Sequence, residues 1–191
     1  MEKLLVIDSC MREGSRTRII LDAAMSVLSL RYEVETIDVN AVSLPPLTPE
    51  TLQARNSGEV SEIALELAKK VAAADRIVVA APFWDMSFPS VLKAFFENVS
   101  LYDVTFTDDG QTCTGLCKCE KLLYITTRGM DIPTGEVRDQ GTSYLKALSS
   151  LWGLGEVMTV AAWNLDYMDA ETLGRKVKET SELVRNVAAD F

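Results

Sequence analysis

The chain opens Lys3-Leu-Leu-Val-Ile7-Asp8-Ser9-Cys10-Met-Arg-Glu-Gly14-Ser15-Arg16-Thr17 and continues Arg18-Ile-Ile-Leu-Asp-Ala-Ala-Met-Ser-Val-Leu28. An apolar strand runs into a hydroxyl-rich loop, and the loop opens an amphipathic helix. That order is a phosphate cradle in outline. A helix N-terminus offers unpaired N–H groups and partial positive charge, and Ser9, Ser15 and Thr17 add hydroxyls. Gly14 lets backbone approach an anion closely. Arg16 and Arg18 can add charge, with a solvated role expected for at least one of them. The loop contains neither Gly-Lys-Ser/Thr nor Gly-x-Gly-x-x-Gly, so it is neither an ATPase-type P-loop nor a dinucleotide fingerprint. Hydroxyls and helix amides around a phosphate suit a mononucleotide. Read alone, the same residues also make an ordinary N-cap, with Ser15 as the capping residue.

The rest of the chain favours the cradle, because strand and helix patterns alternate throughout. Strands are expected over 4–8, 32–38, 77–81, 121–127 and 156–162, and helices over 17–30, 59–74, 90–101, 140–151 and 170–189. The run 77–81 is apolar without alternation, as in a strand covered on both faces. Residues 32–38 alternate, as in an edge strand with one wet face. Residues 40–56 carry Pro45, Pro46 and Pro49 and read as a loop. Residues 105–118 hold Asp-Asp-Gly and read as a small hairpin or flap. The pattern implies the α/β class, a parallel sheet with helices on both faces, in a single domain over 1–191. Ligands of such sheets bind beyond the carboxyl ends of the strands, where strand order reverses. Three loops should meet there, 9–17, 82–89 and 127–135.

The second loop, Pro82-Phe83-Trp84-Asp85-Met86-Ser-Phe88-Pro89, follows a buried strand with four large apolar side chains. Such a loop either packs inward or covers a flat ligand, and an isoalloxazine ring suits aromatic and thioether surfaces. With a phosphate cradle beside it, flavin mononucleotide (FMN) is the leading ligand. Backbone N–H groups here can reach the ring's N5 and pyrimidine edge. In the third loop, Thr127-Arg128-Gly129-Met130, Gly129 permits a tight turn beside the ring, and Thr127 or Arg128 can donate to a flavin carbonyl.

Taken in order, these three loops resemble those of the FMN-dependent NADH:quinone oxidoreductases and azoreductases, within the flavodoxin-like fold. Ser9 and Ser15-Arg16-Thr17 are similar to the family's phosphate residues, Ala81-Pro82-Phe83-Trp84-Asp85-Met86 to its Ala-Pro-Met-Tyr-Asn-Phe segment, and Thr127-Arg128-Gly129-Met130 to its Ser-Arg-Gly-Gly turn. Phe106, Gly110 and Gly115-Leu116 resemble its flap. The resemblance implies a five-stranded sheet of order 2-1-3-4-5. It implies an enzyme that passes hydride from NADH or NADPH through FMN to a quinone, azo or nitroaromatic acceptor. It also implies a homodimer whose partner chain completes the site, with Trp84, Phe88 and Tyr102 as candidates for that wall and core packing as the alternative for each. An FMN electron carrier of the flavodoxin kind is the competing reading, and a flavin-free binding domain a third. Three departures stand out. Asp85 puts a carboxylate where the family has an amide, which should lower the flavin potential. Met130 replaces a glycine on the substrate face. The chain has no histidine, so a proton for the acceptor comes from water or another side chain.

Composition sets the outer bounds. A hydrophobic content of 48% over 191 residues suits a soluble globular protein with a sizeable core. No segment approaches the ~20 apolar residues of a membrane span, and Glu2 and Lys3 are unlike a signal peptide, so a cytoplasmic location is expected. The net charge of −9 argues against nucleic acid and anionic membrane as partners. Cys10, Cys113, Cys117 and Cys119 read as reduced thiols; a metal or redox site is the alternative, but C-x3-C-x-C lacks the usual pair spacing.

Overall fold

Arg76-Ile-Val-Val-Ala80 forms the central strand of a five-stranded parallel sheet and is buried at every position. The computed structural model describes residues 1–42 and 44–191. Its elements run β1 (Lys3–Asp8), α1 (Arg16–Leu28), β2 (Glu33–Asp38), α2 (Pro49–Asn56), α3 (Glu62–Ala73) and β3 (Arg76–Ala80). They continue with α4 (Ser90–Val99), β4 (Phe106–Asp108), β5 (Cys113–Gly115), β6 (Lys121–Thr127), α5 (Gln140–Trp152), β7 (Glu156–Ala162), a 3-10 turn (Leu165–Tyr167) and α6 (Ala170–Ala189).

The sheet order is β2-β1-β3-β6-β7, which is 2-1-3-4-5 in its own strands. Alternation along each strand divides the core in two. Leu5, Ile7, Ile77, Val79 and Leu122 face one way, against Leu67 and Val71 of α3, Leu92 and Phe95 of α4, and Leu145 of α5. Leu4, Val6, Val78, Leu123 and Ile125 face the other, against Ile20 and Leu28 of α1 and Val184 of α6. The chain leaves β1 towards β2 on one side and returns to β3 on the other. The carboxyl ends of β1 and β3 therefore border the crevice where such sheets bind ligands.

The expected flap forms: β4 and β5 pair antiparallel, Phe106 opposite Gly115. A side chain at Gly115 would overlap the Trp152 and Gly153 backbone, so the flap lies directly on the end of α5. The loop expected over 40–56 is corrected. Its second part is helix α2, with Pro49 in the first turn and Thr48 in a reciprocal capping box with Thr51. Proline there is a helix starter, because the first N–H groups need no intrahelical partner. Ser43, in the same stretch, lies outside the described residues.

Candidate functional site

A cavity of about 390 Å³ opens at the carboxyl ends of β1, β3 and β6. Ser15 and Arg16 of the first loop, Pro82, Phe83 and Trp84 of the second, and Thr127 and Gly129 of the third line it. Its volume lies within the range of small-molecule sites. The three loops expected to converge do so.

The first loop forms because Ser15 caps α1, its Oγ accepting from Arg18 N–H at 3.4 Å. The N–H groups of Arg16 and Thr17, in the first turn, have no protein acceptor among the described residues. Arg16 lines the cavity, whereas Arg18 is committed to the buried Asp8 at 2.6 Å. Thr17 is buried and shares a 2.7 Å hydrogen bond with Thr127, which ties the first loop to the third. Ser9 is also fully buried; its hydroxyl donates to the Ala80 carbonyl at 3.2 Å.

The second loop turns sharply. Trp84 and Ser87 exchange both backbone hydrogen bonds, at 3.2 and 2.8 Å, around Asp85 (φ 46°) and Met86 (φ 68°). Two consecutive left-handed residues make a two-residue turn of the kind that normally takes Asn-Gly. Its conformational cost falls on residues without glycine's freedom, and such strain gathers at ligand sites. Asp85 is exposed and Met86 half-buried. Trp84 is 37% exposed, but Phe88 is core, edge-on to Phe96 and Tyr144. Of the three expected wall residues, Phe88 is thus withdrawn into the interior; Trp84 and Tyr102 (65% exposed) stay accessible.

The third loop corrects one expectation. The Arg128 side chain is fully buried, its Nη2 on Asp139 at 2.9 Å and its Nη1 on the Ile132 carbonyl at 2.8 Å. It is an internal brace and not a donor facing the cavity. Gly129 sits beneath the Asp166 carboxylate, where a Cβ would collide with it. Among the described residues, the N–H groups of Asp85, Met86, Gly129 and Met130 have no protein acceptor. Two loops thus carry free donors, of which Gly129 lines the cavity with Pro82, Phe83 and Trp84, and the first loop adds the free amide and the side chain of Arg16.

Three lining residues escaped the sequence reading: Arg12, Glu13 and Asp166. Arg12 and Glu13 were visible within the first loop but carried no pattern. Asp166 comes from the 3-10 turn after β7, a fourth loop that only the folded chain brings in. It pairs with Arg16 at 3.1 Å across the cavity. The cysteines take no part. Burial pushes the thiols of Cys10, Cys117 and Cys119 up to about 12, and Asp108, bonded to Cys113, raises that exposed thiol. Among the described residues no group of three or more His, Cys, Asp or Glu side chains could hold a metal ion.

The donor set fits FMN: a helix-end amide and an arginine for a phosphate, the Phe83 and Trp84 side chains for a ring, and the free Gly129 N–H for a polar ring edge. A family profile, Flavodoxin_2, described as "Flavodoxin-like fold", matches residues 2–184. The chain is 30% identical over 200 residues to the FMN-dependent NADH:quinone oxidoreductase of Lachnoclostridium phytofermentans, covering 100% of both. An azoreductase from Bacillus anthracis superposes with a TM-score of 0.82 at 18% identity over 100% of both chains. An FMN-dependent NADH-azoreductase from the same species, solved with FMN, gives 0.77 at 20% identity, over 98% of this chain and 100% of that one. At such identities the two structures speak for the fold alone. No helix among the described residues is long and apolar enough to cross a membrane. The chain therefore belongs to the Flavodoxin_2 family, alongside the FMN-dependent NADH:quinone oxidoreductases.

Proposed function

We propose that this chain is an FMN-dependent oxidoreductase that takes electrons from NADH or NADPH and gives them to a quinone, azo or nitroaromatic acceptor. The observation that carries the reading is the joint layout of the cavity. Ser15 and Arg16, at the start of α1, line it together with Pro82, Phe83, Trp84, Thr127 and Gly129, and the N–H groups of Arg16 and Gly129 have no protein acceptor among the described residues. FMN, when bound, supplies the hydride-accepting and hydride-donating chemistry. The protein's own residues bind and orient. Ser15 and Arg16 would hold the phosphate, with Ser9 and Thr17 buried behind them. Pro82, Phe83, Trp84 and Met86 bound the ring, while Thr127, Gly129 and Met130 face its edge. The free N–H groups stabilise negative charge there on reduction, and no general base is required.

The acidic chain, with its net charge of −9, is read as a cytoplasmic protein of one domain. A second copy completes the site as a homodimer, for which exposed Trp84 and Tyr102 offer a wall. The electron-carrier reading has one observation in its favour, the acidic surface suited to basic docking partners. Steady-state NADH oxidation with menadione separates the two. We expect a flavin visible spectrum and acceptor-dependent turnover. Bound FMN without turnover makes the protein a carrier; failure to take up FMN overturns both. Sedimentation at twice the 21.1 kDa chain mass is the expected dimer signature.

A further inference from the structure

Arg128 and Asp139 form the only ion pair among the described residues whose two side chains are both fully buried. Replacing such a pair by apolar residues often leaves stability unchanged or raised, so stability alone is a weak reason for it. What it supplies here is geometry. Arg128 Nη1 holds the Ile132 carbonyl at 2.8 Å, and Asp139 Oδ2 accepts from Gly135 N–H at 3.0 Å. The pair therefore gathers both limbs of the loop between β6 and α5. Asp139 Oδ1 also caps α5 by accepting from Thr142 N–H at 3.1 Å. The next residue, Gln140, donates its N–H to the Met86 carbonyl at 3.0 Å and anchors the strained turn of the second loop. The Arg128 guanidinium lies 5.1 Å from the Phe83 ring centroid. Its backbone donates to Ala162 and accepts from Leu165, at 2.8 and 3.2 Å, so the loop after β7 is included. The buried pair thus braces the loop between β6 and α5 at the place where three of the four loops around the cavity meet.

Two of the N–H groups without a protein acceptor among the described residues, those of Gly129 and Met130, directly follow Arg128, and Gly129 lines the cavity. Donors fixed before charge develops cost no reorganisation when it does. We propose that the Arg128–Asp139 pair is a positioning device that tunes the bound flavin's reduction potential, by holding these N–H groups where negative charge grows on reduction. The inference rests on the FMN reading above. It assigns Arg128 and Asp139 no contact with the ring.

The test is the double substitution Arg128→Met/Asp139→Asn, which leaves no buried unpaired charge and keeps a side chain able to cap α5. FMN affinity is read by flavin fluorescence, and the two-electron midpoint potential by dye equilibration. Amide exchange over 129–135 is read without flavin. We expect a thermal midpoint close to that of the unsubstituted chain, faster exchange in the loop, and about tenfold weaker FMN binding. Reduced flavin should lose about tenfold more than oxidised flavin, which lowers the midpoint by about 30 mV. A brace serving stability alone would move the thermal midpoint and leave the potential where it was; that result, or unchanged loop exchange, overturns the proposal. If the double variant does not fold, Arg128→Lys is read instead, with the same direction expected, and an unchanged potential again overturns it. If the unsubstituted chain takes up no FMN, the functional reading fails while loop exchange still decides the positioning role.

Discussion

Two arginine–aspartate pairs flank one cavity at nearly equal distance, 3.1 Å for Arg16–Asp166 and 2.9 Å for Arg128–Asp139. The first is in water, its side chains 39% and 66% exposed; the second is wholly enclosed. Length therefore says little about what either pair does. In water, attraction is screened and long side chains lose entropy, so the exposed pair is worth ~0–1 kcal/mol. It can exchange: an anion entering the cavity competes with Asp166 for Arg16. The enclosed pair cannot exchange, because separating its charges leaves one of them buried and alone. One pair is suited to release a ligand group and the other to hold a loop still.

The comparison can be broken most sharply at Asp139. Asp139→Asn keeps the α5 cap but leaves Arg128 unpaired, and urea unfolding should show a loss of ~3–5 kcal/mol; a change below 1 kcal/mol would mean that the two pairs are alike. The same residue fixes a pH signature. Burial pushes its carboxyl up, but hydrogen bonds from Gly135 and Thr142 and the Arg128 charge outweigh burial and hold it below 3.8. A lowered folded value means that its contribution is complete above the unfolded value and is lost as pH falls through the folded one. Stability should thus fall more steeply below pH ~4 in the unsubstituted chain than in Asp139→Asn.

Next in size is Arg16→Ala. Losing a charge-assisted bond to phosphate should weaken FMN about tenfold. Riboflavin, which has no phosphate, should bind as before, and equal losses for the two ligands would place the phosphate elsewhere. Asp166→Asn should act in the opposite direction. Removing a competing like charge should tighten FMN by about two- to fivefold at low salt, fading as salt rises. Weaker binding would make Asp166 a ligand-holding residue. The smallest effect is expected at exposed Asp85: Asp85→Asn should raise the midpoint potential by up to about 9 mV, equivalent to twofold. No rise would remove Asp85 from the ring's electrostatics.

The central strands were legible because burial on both faces leaves an unmistakable mark, as in Ile77–Ala80, and helix α1 because Ser15 stands as a cap at the expected place. Helix α2 was not. It buries none of its residues, so it has no apolar stripe, and Pro49 reads as a breaker until Thr48 is seen to cap it. Tyr102 and Phe88 look equivalent in the sequence; only packing puts one at the surface and the other against Phe96.

The sequence by itself determined the alternation of strand and helix, the sheet class that follows from it, and the three loops that carry hydroxyls, aromatics and Gly129. Those are local properties, set by periodicity and turn chemistry over a few residues. Tertiary structure alone decided which arginine faces the cavity and which is sealed beneath it. Arg16 and Arg128 have the same side chain in similar strand-end loops. Their roles diverge because Asp139 closes over one from eleven positions away, while Asp166 reaches the other from 150 positions away. Burial and partner choice depend on the whole fold, and no window of sequence contains them.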